Sequence, residues 1–242
     1  MPIKRVHRRR FLLLCSLVLA FQVVRGQDEG RQPRIDVRMQ LAYPGHHKGD
    51  HFPPAVMWLK PLPGTALQPF LPSTHFTLLQ KHRMFSPHLL VVPVGSVVAF
   101  PNADPFFHNV FSLFNGKRSD LGLYEAGTTK EVNFSRDGVS YIFCNIHPDM
   151  SAVVLALSTP LYSVADSGGA FTIQHVPAGE YELHVWVEGF TQPALDHLTR
   201  RVQIPPGSGD LGIFDIAGVP HLPAQHLNKF GQPYDEDSKP TY

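Results

Sequence analysis

The residues with chemistry to offer fall in two short stretches, Asp104-Pro105-Phe106-Phe107-His108-Asn109-Val110 and Cys144-Asn145-Ile146-His147-Pro148-Asp149-Met150. Between them they hold one thiolate, two imidazoles and a thioether. That is a soft donor set suited to copper, with Cys and two His in a trigonal plane and a weak axial Met. The spacing has a mechanical reason. Cys144 ends a strongly β-prone run, Val139 to Phe143, and the three-residue steps that follow can aim Cys144, His147 and Met150 at one point. His108 arrives from a neighbouring strand as the fourth donor. Pro148 stiffens the loop, so its geometry changes little between Cu(I) and Cu(II). Zinc seldom takes a thioether, so Met150 argues for copper. The bland alternative makes Cys144 a small buried hydrophobe, His108 and His147 satisfied polar residues and Met150 a core filler. It must then account for all four, and for an unpaired thiol as well.

That thiol stands out because of the N-terminus. Lys4 to Arg10 is basic, Phe11 to Val24 is largely apolar, and Val24-Arg25-Gly26 precedes Gln27. This is the layout of a cleaved secretory signal over residues 1–26, with an apolar run too short to span a bilayer. A Sec-type route is expected. Arg8-Arg9-Arg10-Phe11-Leu12 is the twin-arginine alternative, disfavoured because no Ser or Thr precedes the pair. Cys15 leaves with the signal, so Cys144 has no internal disulfide partner in an oxidising, periplasmic compartment. The signal also carries six of the 21 basic residues, leaving 15 against 20 acidic ones. A chain near −5 lacks the basic footprint of a nucleic-acid binder. Its field would favour a basic partner. No later stretch approaches a membrane span, so the processed protein is not expected to be an integral membrane protein. With 43% apolar and only 17% charged residues, the chain has enough apolar surface for a core and is not a disordered one.

Around the site, the chain shows no apolar stripe of helical period. Alternation with period two recurs instead: Ile35, Val37, Met39, Leu41 and Tyr43; Val139, Tyr141 and Phe143; Tyr181, Leu183, Val185 and Val187. Leu89–Val92, Val97–Phe100, Glu131–Phe134, Ala152–Leu157, Ala170–Ile173 and Arg201–Ile204 are further candidate strands. Turn signals such as Pro44-Gly45, Asp137-Gly138 and Ser167-Gly168-Gly169 separate them. The fold class is therefore all-β, built of sandwiches. The tail over 219–242, proline-rich and then acidic, is expected to be loosely ordered.

From about Phe85 to Leu157 the chain resembles the cupredoxins, the plastocyanin and amicyanin family of blue copper proteins. The resemblance rests on Val94-Gly95-Ser96-Val97-Val98-Ala99-Phe100-Pro101-Asn102, on Phe107-His108-Asn109-Val110, and on Cys144-x-x-His147-x-x-Met150, whose short last gap is similar to amicyanin's ligand loop. It implies a Greek-key β-sandwich over residues 72–158 with one type-1 copper held by His108, Cys144, His147 and Met150. It also implies that Asn109 steadies the Cys-bearing loop through its amide. By the same resemblance, the outer edge of His147 is the electron port, with a redox partner docking beside it. Phe106 and Phe107 either rim that patch or pack the core.

Beyond Leu157, Asp166-Ser167-Gly168-Gly169-Ala170-Phe171 and Val176-Pro177-Ala178-Gly179-Glu180-Tyr181 look like the later half of a carboxypeptidase regulatory-like, transthyretin-type β-sandwich. Residues 159–218 are short for a complete sandwich, and the strands of 33–61 can supply the missing part. The copper domain is then an insertion in this second sandwich, a binding or structural module without catalytic residues. His46, His47 and His51 are read as a solvated loop, and as transfer ligands only under the alternative of a copper-delivery protein without redox traffic. A third reading is a surface-binding sandwich with a degenerate site. His175 and His184 are expected on solvent faces of strands. No nucleophile elbow or phosphate-cradling loop is present, so the expectation is an electron carrier rather than an enzyme.

Overall fold

The computed structural model describes residues 34–65, 67, 69–112, 118–221 and 225–234; the expected signal, with Cys15, and the acidic end of the tail lie outside them. In chain order the first strands are β1 (Arg34–Ala42), β2 (Ala55–Pro61), β3 (Phe76–Thr77), β4 (Leu79–Lys81), β5 (Met84–Ser86), β6 (Leu89–Pro93), β7 (Ser96–Pro101) and β8 (His108–Ser112). Then come β9 (Ser119–Tyr124), β10 (Thr129–Phe134), β11 (Gly138–Cys144), β12 (Ser151–Leu157), β13 (Tyr162–Val164), β14 (Ala170–Pro177) and β15 (Gly179–Val187). One helical turn, α1 (Gln192–Asp196), precedes β16 (Arg200–Ile204) and β17 (Asp210–Asp215). The fold is all-β. A five-residue helix that buries only Leu195 is too short to print a helical period in the sequence.

Alternation places the first core. β1 buries Ile35, Val37, Met39 and Leu41 and exposes Arg34, Asp36 and Arg38, as a pleat with one wet face requires. Its partners come from the far end of the chain: β14 pairs with it antiparallel and β17 parallel. β2 likewise lies between β13 and β15, with β16 at the edge. Between the two sheets sit Val37, Leu41, Met57, Leu59, Phe171, Tyr181 and Leu183 among others. The Asp166 turn that opens β14 shows why glycine is needed there. Gly169 has φ 85°, and a Cβ on it would stand 2.6 Å from the Phe52 ring.

The strands between β2 and β13 form two further sheets, β10-β7-β3 and β6-β12-β11-β8-β9, beside the small β4-β5 hairpin. They close on a second core of Leu78, Val98, Phe100, Val110, Phe134, Ile142 and Val154, in which Cys144 and Met150 are embedded. β12 joins the two cores. Val153, Leu155 and Leu157 belong to the first and Ala152, Val154 and Ala156 to the second. A strand buried on both faces reads as a continuous apolar run rather than an alternation, which is what Ala152–Leu157 is. Polar ties cross the same seam. The Trp186 indole donates to the Tyr141 hydroxyl at 3.1 Å, and the Thr159 hydroxyl to the Leu59 carbonyl at 2.9 Å. His88 bridges the Ser151 carbonyl (3.1 Å) and the Glu188 carboxylate (2.8 Å).

Two outcomes follow. Leu155→Ala empties space between the cores and should cost about 2–5 kcal/mol, read by chemical denaturation. The Glu188 carboxylate raises the pKa of His88 above its ordinary value, against the pull of burial. The folded protein then holds a proton that the unfolded chain has released. This tie is at full strength below about pH 6.5 and weakens as pH rises through the elevated folded pKa. The melting-temperature difference between wild type and His88→Gln should therefore be largest in mild acid and shrink toward alkaline pH.

Candidate metal centre

Two strands and one turn build the site. His108 begins β8 and Cys144 ends β11, and the two strands pair through Cys144↔Val110. The turn after Cys144 is closed by main-chain bonds: the Met150 N–H donates to the His147 carbonyl (3.0 Å) and the Cys144 N–H to the Met150 carbonyl (3.3 Å). His147 is thus folded back under Cys144. The Cys144 sulfur lies 3.5 Å from His108 Nδ1 and 3.5 Å from His147 Nδ1. These three donor atoms all lie within 4.8 Å of one another, and they are the metal-capable group among the described residues. Donors bound to one ion at about 2.0–2.3 Å stand roughly 3.5 Å apart, the separation of the sulfur from each ring nitrogen, so the cluster is able to hold a metal ion. Met150, 1% exposed, packs in the same buried cluster.

Burial sets the protonation of the group. Cys144 and His108 are fully buried and His147 is 7% exposed. Loss of water pushes the Cys144 thiol up, against the N–H groups of Asn109, Ile146 and His147 that favour the thiolate. It lowers His108 below its ordinary value, with Asp104 opposing, and depresses His147 to about 4, helped by His108 and Arg83. Both imidazoles are therefore neutral at physiological pH and can donate a lone pair. Each turns Nδ1 toward the sulfur, which leaves Nε2 to carry the proton.

Asp104 fixes that choice for His108. Its buried carboxylate accepts from His108 Nε2 at 3.0 Å and from the main-chain N–H groups of His82 (2.6 Å) and Arg83 (3.0 Å). Burial alone would raise this carboxyl, yet the Arg83 and His82 amides and the His108 ring hold it low. His82 and Arg83 form the β4–β5 turn with φ of 57° and 58°, a left-handed pair that non-glycine residues adopt only when held. Asn102 keeps the connecting loop in place, donating to the Phe106 carbonyl (2.8 Å) and accepting from the Asp104 N–H (3.0 Å). Phe106 walls the site, 5.4 Å from both imidazole rings, with the Arg83 guanidinium over its outer face. Phe107 is 48% exposed beside it; one Phe lines the site and the other rims it.

Asn109 meets the Cys-bearing loop through its main chain. Its carbonyl accepts from the Asn145 N–H at 2.8 Å, while its side-chain amide donates to Asp120 at 2.9 Å. His46, His47 and His51 do not converge: His46 packs on Tyr43 and Phe52, and His47 and Asp50 close a turn on each other. His175 is exposed. His184 lies on the expected face beside Glu182 but is mostly covered there, because it stacks on Trp58 of the paired strand at 5.3 Å. A larger correction concerns the tail. It forms no strand among its described residues, yet 225–234 is not loose. Tyr234 donates its hydroxyl to the Cys144 carbonyl at 3.0 Å, the Lys229 N–H donates to the Asn145 side chain at 2.9 Å, and the Lys229 ammonium reaches Asp120 at 2.9 Å. Asp104 was visible in sequence four residues before His108. Tyr234 and Lys229, about 90 residues from Cys144, left no local signal.

The comparisons fall on two parts of the chain. The family model for polysaccharide lyase family 4, domain II, matches residues 162–209, so the carboxypeptidase-like resemblance there finds no counterpart. No curated protein matches. Among solved structures the chain is similar to a purple cupredoxin from Nitrosopumilus maritimus, at 26% identity over 34% of this chain and 99% of that one, with a TM-score of 0.31. It is similar to a copper-containing nitrite reductase from Thermus scotoductus SA-01, at 24% identity over 40% of this chain and 25% of that one, TM-score 0.34. An oxidised amicyanin variant matches at 16% identity over 43% of this chain and 98% of that one, TM-score 0.33.

Asp104→Ala removes the partner of His108 Nε2 and both acceptors of the hairpin tip. Metal affinity should fall by about 10–100-fold, measured by competition with a chelator of known strength.

Proposed function

We propose that the chain is a type-1 copper protein that passes single electrons, in which His108, Cys144 and His147 would be the strong ligands and Met150 would add a weaker fourth. The observation that carries this reading is the buried thiol flanked at 3.5 Å by two imidazole Nδ1 atoms. Bound copper would supply the Cu(II)/Cu(I) couple, and the protein's residues do the rest. Asp104 locks the His108 tautomer. The N–H groups of Asn109, Ile146 and His147 stabilise sulfur as thiolate. Phe106 and the apolar core exclude water, which keeps the surroundings fixed while charge changes by one.

The role is that of a carrier, not an enzyme. A redox partner would approach beside His147, where Phe107 offers apolar surface. The ring edge itself is shielded, since His147 Nε2 is out of contact with water. A delivery protein must hand its metal to another chain, and the closed site and the scattered His46, His47 and His51 support the carrier reading over it. Export to the periplasm follows from the expected signal; among the described residues no helix is long and apolar enough to cross a membrane. The outer sandwich, as the module carrying the copper domain as an insert, serves a structural or binding role.

One equivalent of Cu(II) added to residues 27–242 should give an intense blue thiolate charge-transfer band and a narrow copper hyperfine splitting, both lost in Cys144→Ser. A pale tetragonal spectrum would overturn the proposal.

A further inference from the structure

A site with its cysteine and one histidine fully buried, and its other donors almost so, poses the question of how metal gets in and out. Two of the described elements around it, the strands β8 and β11, are held by ladders of main-chain bonds. The hairpin tip is pinned by two main-chain donors to the buried Asp104. The segment 225–234 differs. It crosses the Cys144 loop with no ladder, fastened by isolated bonds: His226 N–H to the Pro148 carbonyl (3.4 Å), Lys229 N–H to Asn145 Oδ1 (2.9 Å), Lys229 ammonium to Asp120 (2.9 Å) and Tyr234 hydroxyl to the Cys144 carbonyl (3.0 Å). Its ring packing centres on His226, 4.4 Å from Phe143, edge-on to Phe111 at 6.0 Å and to Tyr234 at 5.5 Å. Segments with few buried contacts and isolated bonds open at the lowest free energy.

We propose that residues 225–234 are a strap over the metal-binding loop, with Tyr234 as its positioning residue, and that lifting this strap gates entry to and exit from the Cys144 site. The anchor points argue for it. Cys144 is the last residue of its strand, and its buried carbonyl accepts from Tyr234, so the strap holds the very peptide that carries the thiol. Asn145 and Pro148, the other anchors, flank Cys144 and His147 in the same turn. Asp120 ties the strap to the opposite side as well, because it also accepts from the Asn109 side chain beside His108. The strap therefore joins the two stretches that carry the donors. Lifting it leaves the β11–β12 and β8–β11 pairings intact.

The function of the strap rests on Cys144 lying in a metal site, but its action can be read without metal. In the processed apoprotein, residues 27–242, whose one cysteine is Cys144, maleimide labelling should be slow in wild type. It should quicken about fivefold in Tyr234→Phe, which loses only the hydroxyl, and at least about tenfold in Tyr234→Ala, in line with the loss of one hydrogen bond and then of the ring packing. Cooperative melting retained in both variants establishes that the change is local. Copper-loaded protein should release metal to a chelator faster in the same order, with the thiolate band still present at the start. Labelling at the wild-type rate in both variants overturns the strap, whether or not copper binds. Faster labelling in a chain that gives no thiolate band with Cu(II) upholds the strap and removes the electron-carrier reading alone.

Discussion

The structure depends on keeping one thiol and two imidazoles out of water, with the sulfur 3.5 Å from each ring nitrogen that faces it. In an apolar core such groups are costly unless partnered. Burial drives all three toward their neutral forms, the thiol upward and the imidazoles downward. His108, Cys144 and His147 could together hold a soft cation, which would take the place of the thiol proton and give all three donors a partner. The same burial that leaves these donors without water suits them to a metal ion. Buried polar residues gather around this group accordingly, with Asp104, Asn102 and Asn109 each holding main chain or ring in place.

Rigidity reaches the site from both sides. The turn from Cys144 to Met150 is short enough to be closed by its own amides. The strands on which it hangs are backed by β12, whose two faces belong to two different cores. A shift of the sheets that carry the site would have to break the packing of Leu155 in the first core as well as that of Val154 in the second. The outer sandwich is thus more than an appendage. Strands from before and after the segment that carries His108, Cys144 and His147 pair with each other, β1 with β14 and β2 with β15.

Much of this could be read from the sequence, for identifiable reasons. Strands with one wet face announce themselves by alternation, as β1 and β15 do. The candidate metal ligands announce themselves by chemistry, since a Cys three residues from a His and six from a Met gathers three donors into one turn. Elements too short to carry a period leave no such mark. β3, β4 and β5 are brief strands of this kind, and α1 is a single turn. His184 reads as solvent-facing because its strand neighbours alternate correctly; the Trp58 ring that stacks on it from the paired strand is invisible in one strand's pattern. The strap is hidden for the opposite reason. Proline and acidic residues without periodicity read as a free tail, and its order comes from isolated bonds to residues far away in the chain.

The central claim is that His108, Cys144 and His147, with Met150 beside them, would hold a single metal ion. Crystals of the copper-loaded protein, measured at the copper absorption edge, test it most directly. The account predicts one strong anomalous peak within bonding distance of the Cys144 sulfur and both Nδ1 atoms, with none at the loop of His46, His47 and His51. A peak at that loop, with density at Cys144 unchanged, would contradict it.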